Sequence, residues 1–112
     1  KWLAKAEFLI NNSTFQSFVT IKENQTYINT WHGTPLKTMG FDIPGNPADA
    51  KNVVRNFFMA DYLISPNHHT TEMFLKSYRL NENFPGKIIE TGYPRIDQTF
   101  SKNKDIALYS DL

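Results

Sequence analysis

The residues best suited to chemistry lie in the segment INTWHGTPLKTMGFD, residues 28–42. His32 directly follows an apolar run there, and the Gly-Thr-Pro sequence after it does not continue a strand. Because an imidazole titrates near neutral pH, one held on a stiff turn can act as a general base. Gly33 allows a positive φ, and Thr34 and Lys37 supply a hydroxyl and a cation suited to a phosphate. A capping histidine in a structural loop explains the same residues equally well.

Two further segments carry polar side chains with two possible roles each. Ser65 and Asn67 precede a predicted helix, whose N-terminal amides can bind an anion. Helix capping explains both residues more simply. Arg95 is able to clamp a phosphate or to pair with Asp97 and fix a turn, and the second arrangement is the more common. The adjacent histidines 68–69 would point about 100° apart on a helix and lack zinc-site spacing, so no metal site is predicted.

The elements that must position these residues alternate between strands and helices. Short apolar runs bounded by Asn, Ser, Pro or Gly predict four β-strands: Ala6–Asn11, Thr26–Trp31, Asp61–Ser65 and Lys87–Gly92. Amphipathic patterns predict helices over 46–60, with Asn46 as its N-cap, and over 65–80. This order is typical of successive βαβ units and predicts an α/β fold with a mostly parallel, Rossmann-like sheet and flanking helices.

Ligands of open parallel sheets bind beyond the carboxyl ends of the strands. Four predicted loops occupy that position: 11–13, 31–37, 65–71 and 92–97. Asn11 and Asn12 therefore join the candidate binding residues. Residues 18–30 fit either a hairpin or a plain loop. The polar segment from Gln98 onward is predicted to be a linker or a frayed end.

Composition excludes several classes of function. The 112 residues are 40% apolar, carry a net charge of +1 and include no cysteine. This balance offers no basic stripe for nucleic acid and no thiolate for a metal. No apolar run approaches the roughly 18 residues that span a bilayer. No apolar stripe indicates a docking surface either, so a pure interaction domain is the weakest hypothesis.

Three segments, TWHGTPLKTMGFD, YLISPN and TGYPRID, occur in an order and spacing that resembles one known family. This is the CDP-glycerol:poly(glycerophosphate) glycerophosphotransferase family of bacterial teichoic-acid primases and polymerases. The upstream segment AEFLINNS is similar to the family as well, so the resemblance extends to Phe100. One position departs from it: the family usually has Asn where this sequence has Ile96, while Arg95 and Asp97 match.

The resemblance implies a two-domain, glycosyltransferase-B-type architecture. Residues 1–100 would form the C-terminal part of the acceptor-side Rossmann-like domain, and 101–112 a linker or tail. The donor-binding domain would be absent from this chain. His32 matches the histidine proposed as catalytic base, Gly33 and Thr34 would shape the approach, and Lys37 would offset phosphate charge.

The resemblance also implies substrates and a location. The donor would be CDP-glycerol, bound mainly by the missing domain, and the acceptor a lipid-linked glycerol-phosphate polymer, with release of CMP. No cofactor is predicted, nor a nucleic-acid partner. The full-length protein would be cytoplasmic, at the inner face of the cell membrane, and these 112 residues alone would be inactive. The alternatives are a transferase that uses CDP-ribitol or a nucleotide sugar, and a non-catalytic module that binds phosphate or glycans.

Overall fold

The computed structural model describes residues 2–45, 47–81 and 83–100. Its elements are β1 (Phe8–Asn11), β2 (Thr26–Asn29), a 3₁₀ turn (Gly40–Asp42), α1 (Pro47–Met59), β3 (Tyr62–Ser65), α2 (His68–Ser77), β4 (Lys87–Glu90) and α3 (Pro94–Phe100). The strands pair in the order β1-β2-β3-β4, and each pair is parallel. The predicted α/β fold with a parallel sheet and flanking helices is therefore confirmed.

The structure differs from the sequence prediction in three places. Each strand is one or two residues shorter than its apolar run. The undecided segment before β2 is a loop rather than a hairpin. Residues 98–100, where a linker or frayed end was predicted to begin, belong instead to α3, which has a proline at its first helical position. The predicted cap Asn46 and residues 101–112 lie outside the described residues.

The main core lies between the sheet and the helices α1 and α2, which pack on the same face. Phe57 of α1 and Phe74 of α2 are fully buried, with ring centroids 5.2 Å apart in an edge-to-face arrangement. Leu63 of β3 belongs to the same buried cluster. Edge-to-face contacts between aromatic rings are favourable beyond the area they bury. The predicted apolar faces of both helices are confirmed.

The two faces of β1 differ sharply in exposure. Leu9 is buried beside Tyr27 and Ala60 in a second, smaller core cluster. Phe8 and Ile10 point to the opposite face and are 59% and 69% exposed. The sequence had indicated no apolar docking stripe, and this face of β1 nevertheless exposes two large apolar side chains. The sequence of β1 lacks the alternation of apolar and polar residues that is typical of a strand with one exposed face, because the residues on both of its faces are apolar.

Gly40 lies in the segment that follows His32 and packs closely against the end of α2. Its φ is +61°, and a Cβ built there would lie 2.3 Å from the carbonyl oxygen of Ser77. Only glycine allows this backbone conformation together with such a close approach. The loop after β2 is thus held between the carboxyl edge of the sheet and α2.

Candidate functional site

The loops after the four strands meet along one edge, as a parallel sheet requires. Thr30 N–H donates to the carbonyl oxygen of Asn11 at 2.9 Å, which joins the ends of β1 and β2. Thr91 N–H donates to the carbonyl oxygen of Ser65 at 3.1 Å, which joins the ends of β3 and β4. Polar residues far apart in sequence are brought to the same edge by these connections.

Trp31 gives the loop after β2 its direction. It has a φ of +53°, a left-handed conformation that costs a bulky residue roughly 1–2 kcal/mol. Its indole is only 5% exposed and packs against Phe57 and Phe74 at 5.2 and 6.1 Å between centroids. Burial of an aromatic ring offsets a strain of that size. Gly33, whose residue type allows a positive φ, does not adopt one, whereas Trp31 does because its buried indole holds the backbone there.

His32 emerges from this turn with an exposed side chain. Its ring stacks on the Trp31 indole, with centroids 4.1 Å apart and an angle of 28° between planes. Its Nδ1 lies 2.8 Å from the backbone carbonyl oxygen of Asn12. A carbonyl oxygen can only accept, so Nδ1 carries the hydrogen and donates it. The neutral ring therefore keeps an unprotonated Nε2, the nitrogen that can take a proton from a ligand.

Arg95, in the first turn of α3, reaches the same place from the segment after β4. Its Nη2 donates to the carbonyl oxygen of His32 at 3.4 Å, and its guanidinium lies 4.7 Å from the centre of the Tyr93 ring. An exposed guanidinium with a stacked face keeps further N–H donors for an anion. The carbonyl of His32 and the Tyr93 ring thus orient a cation beside the imidazole.

A pocket of about 190 Å³ lies at this junction. Its lining residues come from the loops after β1 and β2 and from the segment that leads from β4 into α3: Asn12, Thr30, Trp31, Tyr93, Pro94 and Arg95. The Tyr93 hydroxyl is buried and has no hydrogen-bond partner in the described part of the chain. The pocket therefore combines a fixed cation and polar backbone with an aromatic wall, a combination suited to a small anionic, hydroxylated group.

Asn11 lies beside this pocket but serves the protein's own structure. Its side-chain oxygen accepts a hydrogen bond from Ser13 N–H at 3.0 Å. Asn12, by contrast, is exposed and lines the pocket. Of the two asparagines predicted to bind substrate, the structure brings only Asn12 to His32.

Ser65 and Asn67 act as capping residues in the structure. Asn67 accepts hydrogen bonds from the Thr70 N–H at 2.9 Å and the Thr70 hydroxyl at 3.0 Å, which caps α2. Ser65 is fully buried and donates to the Asn67 carbonyl at 2.9 Å. Because these groups already have partners, we do not include either residue in the candidate site.

Three other predicted residues lie apart from the pocket. Lys37 lines a separate cavity of about 440 Å³ against α2, together with His69 and Lys76. Thr34 is exposed on the loop between. Asp97 is exposed in the first turn of α3, and the described residues include no ion pair between it and Arg95. Arg95 is thereby left for the His32 carbonyl and for a ligand.

Sequence reasoning missed two residues that shape the site. Tyr93 supports Arg95, and Asn29 bonds to the backbone of Trp31 at 2.9 Å. For Asn29 a signal existed, because a polar residue alternates with apolar ones on the inward face of a predicted strand. For Tyr93 no pattern in the sequence indicated the stacking.

Across residues 2–45, 47–81 and 83–100, no cluster of three His, Cys, Asp or Glu side chains is arranged to hold a metal ion. Within the same ranges, no helix has the length and apolar character needed to cross a bilayer.

Comparison with known proteins adds to this geometry. Residues 1–110 match the family model described as CDP-glycerol:poly(glycerophosphate) glycerophosphotransferase. The teichoic acid poly(glycerol phosphate) polymerase of Bacillus spizizenii is 36% identical, over 94% of this chain and 28% of its own. The teichoic acid glycerol-phosphate transferase of Staphylococcus aureus is 33% identical, over 94% of this chain and 29% of its own.

A solved structure agrees with these relatives. The wall teichoic acid polymerase TagF superposes with a TM-score of 0.76 at 36% identity, over 97% of this chain and 28% of that one. The chain thus spans little more than a quarter of each of these three proteins. It belongs to the CDP-glycerol:poly(glycerophosphate) glycerophosphotransferase family.

Proposed function

We propose that this chain is the acceptor-side part of an enzyme that transfers glycerol phosphate from CDP-glycerol to a glycerol-phosphate polymer of teichoic acid, with His32 as general base. Family membership and the relatives' names support the transfer reaction. One observation carries the role of His32: its Nδ1–H is bound to the Asn12 carbonyl, which leaves Nε2 as the basic nitrogen beside a cationic pocket.

The reaction requires one proton transfer and one displacement at phosphorus. Nε2 of His32 takes the proton from the terminal hydroxyl of the acceptor. The freed oxygen attacks the β-phosphorus of CDP-glycerol, the bond from that phosphorus to the bridging oxygen breaks, and CMP leaves with the bridging oxygen. Such transfers depend mainly on positioning and on stabilising charge. A stacked and hydrogen-bonded imidazole meets the requirement for positioning.

Arg95 meets the requirement for stabilising charge. We place a phosphate of the acceptor beside its guanidinium, with Asn12 and the Tyr93 ring bordering the same pocket. Gly33 and Thr34 border the approach to the imidazole, in keeping with their places next to His32. Lys37 is not assigned to this step, since it lines the separate cavity against α2.

The proposal extends to the longer protein. Residues 1–100 would belong to the acceptor-side domain of a two-domain enzyme, 101–112 would lead away from it, and a donor-binding domain would supply CDP-glycerol. The acceptor would be lipid-linked, which places the enzyme at the cytoplasmic face of the membrane. The 112 residues alone are expected to release no CMP, because base and donor site lie on different domains. Release of CMP by this chain alone would contradict that division.

The direct test compares wild type with His32→Ala in the longer protein, by CMP release with CDP-glycerol and a lipid-linked glycerol-phosphate acceptor. General-base assistance is worth about 10²–10⁴ in rate, so kcat should fall by that factor while donor binding is retained. His68→Ala is the matched control, because the His68 side chain is 79% exposed on α2 and contacts only Glu72 and Glu90 among charged groups of the described residues. It should leave kcat unchanged.

Other outcomes would replace the proposal. Near-normal turnover by His32→Ala would make this histidine a structural turn residue. Turnover of wild type with CDP-ribitol or a nucleotide sugar, but not with CDP-glycerol, would assign a different donor. Acceptor binding that survives loss of the imidazole, without turnover of any donor, would identify a non-catalytic module.

A further inference from the structure

Asn29 is the last residue of β2, and its side chain is fully buried. A buried amide requires partners for its oxygen and for its N–H groups. The oxygen Oδ1 accepts from the Trp31 N–H at 2.9 Å. The nitrogen Nδ2 donates to the carbonyl oxygen of Ser13 at 3.0 Å and to the Tyr27 hydroxyl at 2.9 Å. One side chain is therefore bonded to the loops after β1 and β2 together.

The donor and the acceptor of the hydrogen bond between His32 and Asn12 lie on these two loops. Trp31 precedes His32, and its left-handed backbone determines where the ring emerges. Ser13 follows Asn12, whose carbonyl oxygen accepts from His32 Nδ1–H at 2.8 Å. A shift of either loop would lengthen that bond and turn Nε2 away. The Asn29 amide thus fixes both ends of the contact that sets the tautomer and direction of His32.

The chemistry of the position requires an amide. An aliphatic side chain would leave the Trp31 N–H and the Ser13 carbonyl without their partner in the interior. A carboxylate would still accept from Trp31 but would present a second acceptor to the Ser13 carbonyl. Only an amide offers an acceptor on one side and a donor on the other at this length.

We infer that Asn29 is a positioning residue for His32, acting through the Trp31 N–H and the Ser13 carbonyl to aim the imidazole at the acceptor hydroxyl. The inference rests on the proposed function, in which His32 is the base. It assigns to Asn29 no contact with substrate. Its loss should therefore lower kcat and leave the KM for CDP-glycerol nearly unchanged.

A double-mutant cycle in the longer protein tests this coupling by CMP release. With His32 present, Asn29→Ala should lower kcat by about 10- to 100-fold, as expected for a displaced catalytic group. In the His32→Ala background the same change should lower kcat by less than about threefold, because there is no base left to aim. An equal loss in both backgrounds would overturn the inference and make Asn29 a purely structural residue.

Asn56 provides the matched control. It is also a fully buried asparagine that binds the loop after β1, accepting from Phe15 N–H at 2.6 Å and donating to Phe15 O at 3.1 Å. The described contacts of its side chain do not include Trp31 or His32. Asn56→Ala should reduce thermal stability as Asn29→Ala does, but its effect on kcat should be small and the same in both backgrounds.

Two further measurements keep the test decisive if Asn29→Ala does not fold. Asn29→Asp keeps the side-chain volume and removes both Nδ2 donors. In the same double-mutant cycle it should lower kcat when His32 is present and leave kcat unchanged in the His32→Ala background. In wild type, the Trp31 amide should exchange with deuterium as slowly as the amides of the core, since it donates to a buried oxygen. Rapid exchange of that amide would overturn the inference.

The cycle also separates this inference from the proposed function. If wild type releases no CMP, or His32→Ala keeps full activity, the proposed function fails and the inference fails with it. If His32→Ala is inactive and Asn29→Ala is as active as wild type, only the positioning role of Asn29 is wrong.

Discussion

A backbone carbonyl, rather than a carboxylate, sets the tautomer of His32. The imidazole therefore gains a fixed direction without a neighbouring negative charge. Under the proposed function this suits the site, because a carboxylate beside the ring would repel a phosphate of the acceptor. The positive charge of the site comes instead from Arg95, which is held by the His32 carbonyl and the Tyr93 ring.

Arg95→Ala should raise the KM for the acceptor by about 10- to 100-fold, the equivalent of one charge-assisted hydrogen bond of about 1.5–3 kcal/mol. The KM for CDP-glycerol should change much less, and steady-state CMP release with each substrate varied in turn gives both values. Arg79→Ala is the control, since Arg79 also lies over a ring, 4.7 Å from the centre of Phe41, away from the pocket. An unchanged acceptor KM in Arg95→Ala would remove this residue from the site.

Individual residues were predictable to the extent that their own chemistry indicated a role. His32, Asn12 and Arg95 were all candidates from type and position, and the structure brings them together. The sequence identified Gly33 as a residue that allows a positive φ, but the left-handed backbone lies at Trp31, where a buried indole outweighs the preference for glycine. Lys37 was grouped with His32 by sequence proximity, but the turn sends it to the other side of the loop.

At the scale of the elements, alternation of strands and helices was enough to predict the sheet, because four apolar runs with amphipathic segments between the last three permit few topologies. The short helix α3 was missed because its seven residues contain a single apolar pair at helical spacing, Ile96 and Phe100, too little to define an apolar face. The 3₁₀ turn Gly40–Asp42 was missed for the same reason, and its position depends on a tertiary contact with the end of α2.

That contact makes Gly40→Ala a sharp test of how the loop after His32 is held. Its Cβ would meet the Ser77 carbonyl and would also occupy a left-handed backbone. Together these effects should lower the free energy of unfolding by about 2–5 kcal/mol. Gly45→Ala isolates the backbone term, because Gly45 has a φ of +84° and no atom within 4 Å of a built Cβ.

For Gly45→Ala we expect a loss of only about 1–2 kcal/mol. Urea denaturation of both variants gives the comparison. If both variants lose the same free energy of unfolding, the loop can move away from α2 without loss of stability.

At the scale of the whole molecule, the site depends on loops from strands that are not all neighbours in the sheet. The segment after β4 passes the end of β3 to reach Trp31 and Asn12 beyond it. The sequence placed all four loops at one edge but could not predict which would touch, because loop conformation depends on specific bonds such as those of Asn29. The junction between these loops is stabilised from below by the aromatic core, in which Trp31 takes part.

Tyr78 of that core and Tyr27 of the smaller cluster should limit stability in alkali when they ionise. Burial raises the pKa of Tyr27, against hydrogen bonds from Asn29 and Asn11 that lower it, and burial also raises the pKa of Tyr78. In the unfolded chain these tyrosines ionise near pH 10, whereas in the folded protein they stay neutral to higher pH. Their contribution to the free energy of unfolding is therefore complete below about pH 10 and is lost as pH rises toward the folded pKa. Urea denaturation across this range, with tyrosinate absorbance recorded together with circular dichroism, should show ionisation and unfolding in one transition. Tyr78→Phe should make the fall in stability less steep, and an unchanged slope would mean that Tyr78 ionises freely within the folded protein.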